Sequence, residues 1–383
     1  MKILLASGIF PPDIGGPAIH TEKLADYFAA LGWEVRVVTY TSGVELRALP
    51  FAVRRIPRKA PKLLRLAFYF FYALKEAIGT DLIYAHDPTA AGYPALLVAR
   101  LLGKKLVVRI GGDALWERVL EKGERFVALK EYYESGFYKT DQSRLRRTVA
   151  KVLRRADAVV APTELLKNLY EKFYSVPAAK IIVVPNPVPA KVDRAAEEAT
   201  TEEATKKFII LFAGRLVAYK NLAQVIKVFD RVRQKTKKGE LYLVGAGPEK
   251  ARLEEQIRNS PARDHIKILP PRSRAEIDAL ISKSAVGLGP ALTEFNPNFV
   301  LECLAQGRPV LVSRENGLAV KIPAEFLFDP KNGAALEEKL LNLMNEESYA
   351  IARRRVAALE MNWGWQDVFS EHRRLFEKLV GKA

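Results

Sequence analysis

The chain begins Lys2-Ile3-Leu4-Leu5-Ala6-Ser7-Gly8-Ile9-Phe10-Pro11-Pro12-Asp13-Ile14-Gly15-Gly16-Pro17-Ala18, and the reading of this stretch decides the fold. Lys2–Ser7 is a short, nearly unbroken apolar run, the pattern of a strand buried on both faces. A proline- and glycine-rich loop follows, and Ala18–Leu31 is then spaced as an amphipathic helix. Glu34–Tyr40 reads as the next strand. Strand, glycine loop and helix in that order form the repeating unit of a parallel sheet covered by helices. Glycines at such a turn let backbone approach a phosphate with no Cβ in the way, although a tight loop needs them equally. The carboxyl end of a first strand is where doubly wound sheets bind ligands, so Gly15 and Gly16 are candidate ligand contacts.

Outward from this unit the same alternation continues. Leu82–His86, Lys105–Ile110, Ala158–Ala161 and Ile181–Pro185 are further short apolar runs. Pro185-Asn186-Pro187-Val188-Pro189 then interrupts the pattern, and Ala195–Lys207 is rich in Ala, Glu and Thr. A second series starts at Phe208–Ala213 and continues through strands at Leu241–Val244, Ile266–Leu269, Ala285–Leu288 and Pro309–Val312. Helices are expected between them at Asn221–Lys235 and Glu249–Asn259. The expectation is an α/β protein of two Rossmann-like, doubly wound domains, residues 1–190 and 206–363, joined by a linker at 191–205, with ligand bound in a central cleft between them. Neither half has a complete Gly-x-Gly-x-x-Gly, since Gly245-Ala246-Gly247-Pro248 stops short, which disfavours a nicotinamide dehydrogenase.

Composition narrows the chemistry. Of the 383 residues, 49% are hydrophobic and 27% charged, which excludes wholesale disorder and fits two to three domains. A single cysteine, Cys303, forms no internal disulfide and reads as core packing, and a total of four histidines argues against a structural zinc site. No Asp-x-Asp pair occurs, so the commonest compact metal–diphosphate device is missing and no metal or other cofactor is expected. The first residues run straight into strand-like sequence without a long apolar segment or cleavage signal, and the expected location is cytoplasmic.

The net charge of +17 is uneven, +11 over residues 1–190 and +6 over 191–383. Its densest stretch includes Arg54, Arg55, Arg58, Lys59, Lys62, Arg65 and Lys75, with the nine apolar residues Leu66–Leu74 inside it. Nine are too few to span a bilayer, which needs about 20. The stretch reads either as a basic loop followed by a buried helix or as a basic aromatic helix lying on an anionic membrane surface. Nucleic acid is disfavoured because no reader motif accompanies the charge. Arg144, Arg146, Arg147, Arg154 and Arg155 form a second basic cluster, read as a solvated helix face, with binding of an anionic acceptor the alternative.

The chemistry concentrates in Glu294-Phe295-Asn296-Pro297-Asn298-Phe299-Val300-Leu301-Glu302. Asn298 is placed as the N-cap of a helix ending near Gly307. A helix N-terminus offers unpaired N–H groups and positive dipole to an anion, with Glu294 beside it and Glu302 two turns further in. Two cations, Arg215 and Lys220, follow a strand upstream. Phosphate plus hydroxyls suggests a nucleotide sugar.

The ordered set of Gly15-Gly16, Gly214-Arg215 with Lys220, Gly245-Ala246-Gly247-Pro248, and Glu294 to Glu302 followed by Cys303-Leu304-Ala305-Gln306-Gly307-Arg308-Pro309-Val310 resembles the family-4 retaining glycosyltransferases of the GT-B fold. The resemblance covers essentially the whole chain. It implies that Arg215 and Lys220 hold the donor diphosphate and neutralise the leaving group, in place of a metal. Glu302 would bind ribose hydroxyls, Glu294 the donor sugar, and backbone amides near Asn298, Phe299 and Val300 the diphosphate. Gly16 would close on it from the other domain. The implied reaction is transfer with retention from a nucleotide-diphosphate sugar to a lipid-linked or glycan acceptor, at or near the inner membrane face, in envelope or surface polysaccharide synthesis. The alternatives are another GT-B activity, phosphorylase or nucleotide-sugar epimerase, or a non-catalytic sugar-nucleotide or glycan-binding protein. Trp363-Gly364-Trp365 is similar to the segment that carries a last helix, 364–383, back onto the N-terminal domain.

Two departures bear on specificity. Asn296 and Pro297 stand where the family often has glycine, which stiffens the loop presenting Glu294. Arg109-Ile110-Gly111-Gly112-Asp113 replaces a His-Gly pair, so Asp113 and His86, both at strand ends, are the acceptor-side candidates, with an N-cap or structural role the alternative for each. His20 reads as structural. The nucleotide base would be met by backbone near Pro271-Arg272-Ser273.

Overall fold

The alternation of buried apolar runs with amphipathic segments yields two parallel sheets in a computed structural model that describes residues 1–13, 15–41, 43, 48–141, 143–191 and 207–381. The chain divides into two compact units: Met1–Leu115, Gly136–Pro185 and Gln366–Ala383 form one, and Trp116–Ser135 with Asn186–Trp365 the other. Residues 116–135, placed in the N-terminal domain by the sequence reading, thus cluster with the second unit. The expected linker at 191–205 lies outside the described residues except for Lys191.

In the first unit the elements are β1 (Lys2–Ser7), α1 (Gly16–Ala30), β2 (Glu34–Thr41), β3 (Ala52–Pro57), α2 (Lys62–Ala77), β4 (Leu82–His86), α3 (Gly92–Leu101), β5 (Lys105–Arg109), α6 (Ser143–Arg155), β6 (Ala158–Ala161), α7 (Glu164–Tyr174) and β7 (Ile181–Val183). Between β5 and α6 lie α4 (Ala114–Glu121), which starts in this unit, and α5 (Leu129–Glu134), which belongs to the other. The strands are parallel in the order β3-β2-β1-β4-β5-β6-β7. Ser7 is level with Thr39 of β2 and His86 of β4, so β1 and β4 end together at the point where strand order reverses, and β2 runs two residues further. β4 is buried along its whole length, which requires the unbroken apolar run the sequence shows.

Strand β3 is not anticipated by the sequence, because Arg54 and Arg55 make this stretch read as a loop. It is an edge strand in which only Ile56 is buried, so its other positions tolerate charge. The C-terminal helix, α14 (Trp365–Val380), covers α1, with Phe369 stacked on Tyr27 at 4.4 Å and Phe376 against Phe28 at 5.4 Å.

The second unit contains β8 (Ile209–Ala213), α8 (Leu222–Thr236), β9 (Glu240–Val244), α9 (Lys250–Arg258), β10 (Ile266–Leu269), α10 (Arg274–Lys283), β11 (Val286–Gly289), α11 (Asn298–Ala305), β12 (Val310–Ser313), β13 (Leu327–Phe328), α12 (Gly333–Leu343) and α13 (Glu346–Ala357). Its strand order is β10-β9-β8-β11-β12-β13, again parallel. The core gathers Phe212, Ile226, Phe229, Leu243, Leu288, Val300 and Leu311, each contributing about 1.5–3 kcal/mol relative to exposure. Helix α11 lies unusually close to the sheet. A Cβ on Gly287 of β11 would stand 2.5 Å from Cys303 Sγ, so glycine is required for this approach. Burial pushes the Cys303 thiol pKa up, as its packing role demands. Among the described residues, no helix is long and apolar enough to cross a membrane.

Candidate functional site

The site in the second unit starts from two loops that pack backbone to backbone. The Leu216 N–H donates to the Ala246 carbonyl at 2.9 Å, and the Gly214 N–H to that of Val244 at 3.0 Å. A Cβ on Gly245 would stand 1.9 Å from the Gly214 carbonyl oxygen, and one on Gly247 would stand 2.1 Å from that of Leu216. The Gly-Ala-Gly sequence is therefore the packing surface for the segment that carries Arg215. From that segment Arg215 extends into solvent, its side chain 63% exposed, with Nη2 3.2 Å from Glu121 Oε1 of α4.

Lys220 ends a short 3₁₀ turn, Ala218–Lys220, and points inward. Its Nζ lies 2.7 Å from Glu294 Oε2, and the carboxylate is only 3% exposed. The backbone of Glu294 is held on both sides: its N–H donates to the Glu315 carbonyl at 3.0 Å, and its own carbonyl accepts from Gly317 N–H at 2.7 Å. Next to it, Thr293 Oγ1 donates to the Glu315 carboxylate at 2.6 Å and accepts from Leu129 N–H at 2.8 Å. Glu294 is consequently a buried carboxylate on a fixed backbone with the part-buried Lys220 as its counter-ion, an arrangement in which losing the cation is costly. Tyr219, between the two cations, has its pKa raised first by burial, then by Glu117, Glu294 and Glu121, with Arg215 opposing them. Its ring lies 5.3 Å from Trp116, which meets Phe295 edge-on at 5.9 Å.

Helix α11 begins at Asn298, but Pro297 is the N-cap and no side chain caps the helix. The expected capping role of Asn298 is corrected: its Oδ1 accepts instead from Asn186 Nδ2 at 3.2 Å. The N–H groups of Val300 and Leu301 turn back to the Pro297 carbonyl, at 3.1 and 3.2 Å. Those of Asn298 and Phe299 have no partner among the described residues, so the positive end of the helix is uncapped. The rings of Phe299 and Phe212 meet in the core, and Val300 is fully buried, so these residues can offer only backbone to a ligand. The neighbouring Asn296 amide is buried with neither polar atom hydrogen-bonded.

Glu302 is paired with Arg274 at the start of α10, an interaction absent from the sequence reading. Burial raises the Glu302 carboxyl pKa, Arg274 lowers it, and Asp278 adds to the rise. Arg274 also holds Asp278 at 3.0 Å. Glu121, Glu315 and Arg274 escaped sequence reasoning because each is remote in sequence and belongs to no spaced motif. The Ser273 expected near the base caps α10 in a reciprocal pair with Glu276.

The first-unit candidates have different surroundings. Gly15 caps α1, its carbonyl accepting from Ala18 and Ile19 N–H. A Cβ on Gly16 would meet nothing within 4 Å, so the unit itself does not require glycine there. His86 lies in the interior, 5% exposed, with Nδ1 3.3 Å from Thr21 Oγ1 and its ring 5.2 Å from that of His20. Asp113 is buried and accepts from Tyr170 OH at 3.0 Å, a fastening between the start of α4 and α7.

With this geometry in place, two family models cover most of the chain. "Glycosyltransferase Family 4" matches residues 14–192, and "Glycosyl transferases group 1" matches residues 193–358. The protein belongs to the family-4 glycosyltransferases of the GT-B fold. One component of the phosphatidylinositol N-acetylglucosaminyltransferase of Arabidopsis thaliana is 20% identical over 99% of this chain and 82% of its own. An uncharacterized glycosyltransferase of Methanocaldococcus jannaschii is 25% identical over 99% of each chain. The Anabaena protein HepE, solved in complex with UDP, superposes with a TM-score of 0.73 at 16% identity, over 99% of this chain and 100% of its own. Among the described residues, no group of His, Cys, Asp or Glu is arranged to hold a metal ion.

Proposed function

We propose that this glycosyltransferase moves a hexose from a nucleotide-diphosphate sugar to a lipid-linked or glycan acceptor, with retention of configuration and without a metal. The observation that carries the reading is the buried Glu294 carboxylate paired with Lys220, with Arg215 projecting from the same loop. A diphosphate needs concentrated positive charge, which two cations and the uncapped end of α11 supply. A sugar needs fixed acceptors for its hydroxyls, which the immobilised Glu294 carboxylate supplies. HepE, with the same fold, binds UDP, which supports a nucleotide donor. The acceptor class is supported by the Arabidopsis relative, named as part of an enzyme that acts on phosphatidylinositol.

In this reading the acceptor hydroxyl attacks the anomeric carbon from the face the leaving group vacates. The bond from that carbon to the phosphate oxygen breaks as the new glycosidic bond forms, and the acceptor proton passes to the departing phosphate. Arg215 and Lys220 offset the charge that develops on the nucleoside diphosphate. Glu294 orients the sugar through a hydroxyl, and Glu302 turns from Arg274 toward the ribose. The work is done on the cytoplasmic side of a membrane, within envelope or surface polysaccharide synthesis.

The test is a thermal-shift panel in EDTA with UDP, GDP, ADP, their sugar conjugates and NAD, followed by turnover of the stabilising donor with a lipid extract. Stabilisation by one nucleotide series, then acceptor-dependent release of nucleoside diphosphate with the anomeric configuration kept, supports the reading. Stabilisation by NAD alone or by none overturns the donor site. Turnover that needs inorganic phosphate, or sugar interconversion without acceptor, replaces transfer by phosphorylase or epimerase action.

A further inference from the structure

Helix α2 presents apolar side chains on two opposite sides. At 3.6 residues per turn, Tyr69, Ala73 and Ala77 share one side, and all three are fully buried on the sheet. Tyr69 OH fixes that side by donating toward the carbonyls of Ser7 and Val38, each at 3.1 Å. The opposite side carries Leu64, Phe68 and Phe71, at 53%, 45% and 62% exposure, and ends at exposed Lys75. Leu63 precedes them, and α3, packed alongside α2, exposes Leu97 and Leu101. A solvent-facing helix should be polar on its outer side, and here that side is as aromatic as the inner one.

The surrounding charge is mostly positive. Much of the basic segment is engaged within the unit. Arg55 donates to the Pro11 carbonyl, Arg58 pairs with Asp13 at 3.2 Å, Arg65 lies over the Tyr40 ring, and Arg54 is 3.6 Å from Glu76. Lys59, Lys75 and Arg100 remain exposed and take part in no ion pair among the described residues. Lys75 follows Phe71 by one turn on α2, Arg100 adjoins Leu101 on α3, and Lys59 lies in the turn that precedes α2, while the carboxylates of this segment are already occupied: Glu76 by Arg54, and Asp81 by the Lys2 backbone N–H. An aromatic stripe edged by unpaired cations matches the boundary between lipid headgroups and acyl chains of an anionic bilayer.

We infer that the outer face of α2, from Leu63 to Lys75 with Leu97 and Leu101 of α3 beside it, docks the protein on an anionic lipid bilayer. Phe68, Phe71 and Leu64 enter the headgroup–acyl boundary while Lys59, Lys75 and Arg100 meet lipid phosphates. This deepens the lipid-acceptor reading by naming the surface that brings the enzyme to its acceptor, but its test requires no turnover.

The full-length protein is sedimented with phosphatidylcholine vesicles, with and without 30% phosphatidylglycerol as the probe, at two salt concentrations. Binding is expected only with the anionic lipid, and F68S/F71S should lower the partition constant at least tenfold. K59E/K75E should lower it similarly and reduce its salt dependence. Both pairs replace exposed side chains, so the melting temperature and stabilisation by nucleotide should stay as in the parent. If the parent stays in the supernatant with anionic vesicles, or F68S/F71S binds undiminished, the inference is overturned. It is also overturned if light scattering shows a dimer that F68S/F71S dissociates, because a second copy then covers this face. Failure of nucleotide stabilisation with vesicle binding intact would instead count against the donor site.

Discussion

Where their strands end, the two units use ionisable groups in opposite ways. In the second unit, Lys220, Glu294, Arg215, Glu121, Arg274 and Glu302 form charged pairs around a helix end. In the first, His20, His86 and His372 are buried together on α1, β4 and α14, with Arg109 of β5 close enough to disfavour a further positive charge. Val368 carbonyl only accepts, so His372 Nδ1 donates to it at 2.7 Å, leaving Nε2 to accept from Tyr84 OH at 3.2 Å. One set of groups is matched with opposite charges, and the other is held neutral by burial. Mutual pairing keeps ions ready to exchange partners with an ionic ligand, whereas the neutral rings serve as packing.

The largest effect is expected from Glu294→Gln, which keeps shape but removes the charge facing Lys220. If Glu294 orients the sugar, turnover should fall by about 10²–10³ while nucleoside diphosphate affinity stays within a few-fold, read by initial rates and calorimetry. An equal loss of nucleotide affinity would assign the pair to diphosphate binding alone. The alanine variant is a poorer probe, because it also deletes the side-chain oxygen that an amide keeps as acceptor for Lys220 and leaves a void in its place.

Gly247→Ala comes next. Its Cβ would stand 2.1 Å from the Leu216 carbonyl, a backbone atom that cannot swing away. The two loops must part, at about 1–3 kcal/mol, and Arg215 must move with them. Denaturant melts should show the loss, and affinity for nucleoside diphosphate should fall as well. A variant that loses stability and keeps affinity would uncouple the glycine loop from the charged site.

These cases mark what the sequence makes legible. Apolar runs and their spacing reveal the parallel sheets because strands buried on both faces leave no alternative composition. Glu294, Lys220 and Arg215 are visible because charged residues beside strand ends and a helix start have few structural uses. Partners are not visible. Glu121 and Arg274 lie 94 and 28 residues from the groups they pair with, and only the tertiary fold brings them together. Strand β3 is hidden by its arginines, and the packing of α1 against His86 shows only in the fold. Asn298 misleads through local chemistry: its composition says cap, and a neighbouring Asn186 claims its side chain.

A pH titration tests the neutral side of the comparison. Burial lowers the His372 pKa to about 3 and those of His20 and His86 well below the ordinary value. The unfolded chain, with imidazoles near 6.5, therefore binds more protons than the folded one below that pH. Stability is complete above about pH 6.5 and falls as the pH drops, by about 1.4 kcal/mol per unit for His372 alone. Asp87, whose pKa burial raises, acts oppositely, regaining stability as the pH falls through its folded value. Urea midpoints between pH 8 and 5 should fall with decreasing pH, and more shallowly in His372→Phe. A flat profile would mean that the rings are not held neutral.

The smallest change in stability, and the sharpest contrast with activity, is expected at Gly16. Because an added Cβ there meets nothing within 4 Å, Gly16→Ala should keep its melting temperature within about 1 °C, a free-energy change below roughly 0.5 kcal/mol. The unit gives no reason for a glycine at this position, in contrast to Gly247, where the fold alone demands it. If Gly16 closes on the donor diphosphate, the methyl group occupies space the ligand needs, and turnover should fall at least tenfold with stability unchanged. Full activity in Gly16→Ala would leave the first unit without a glycine contact to the donor, and donor recognition would then rest on the second unit's charged pairs.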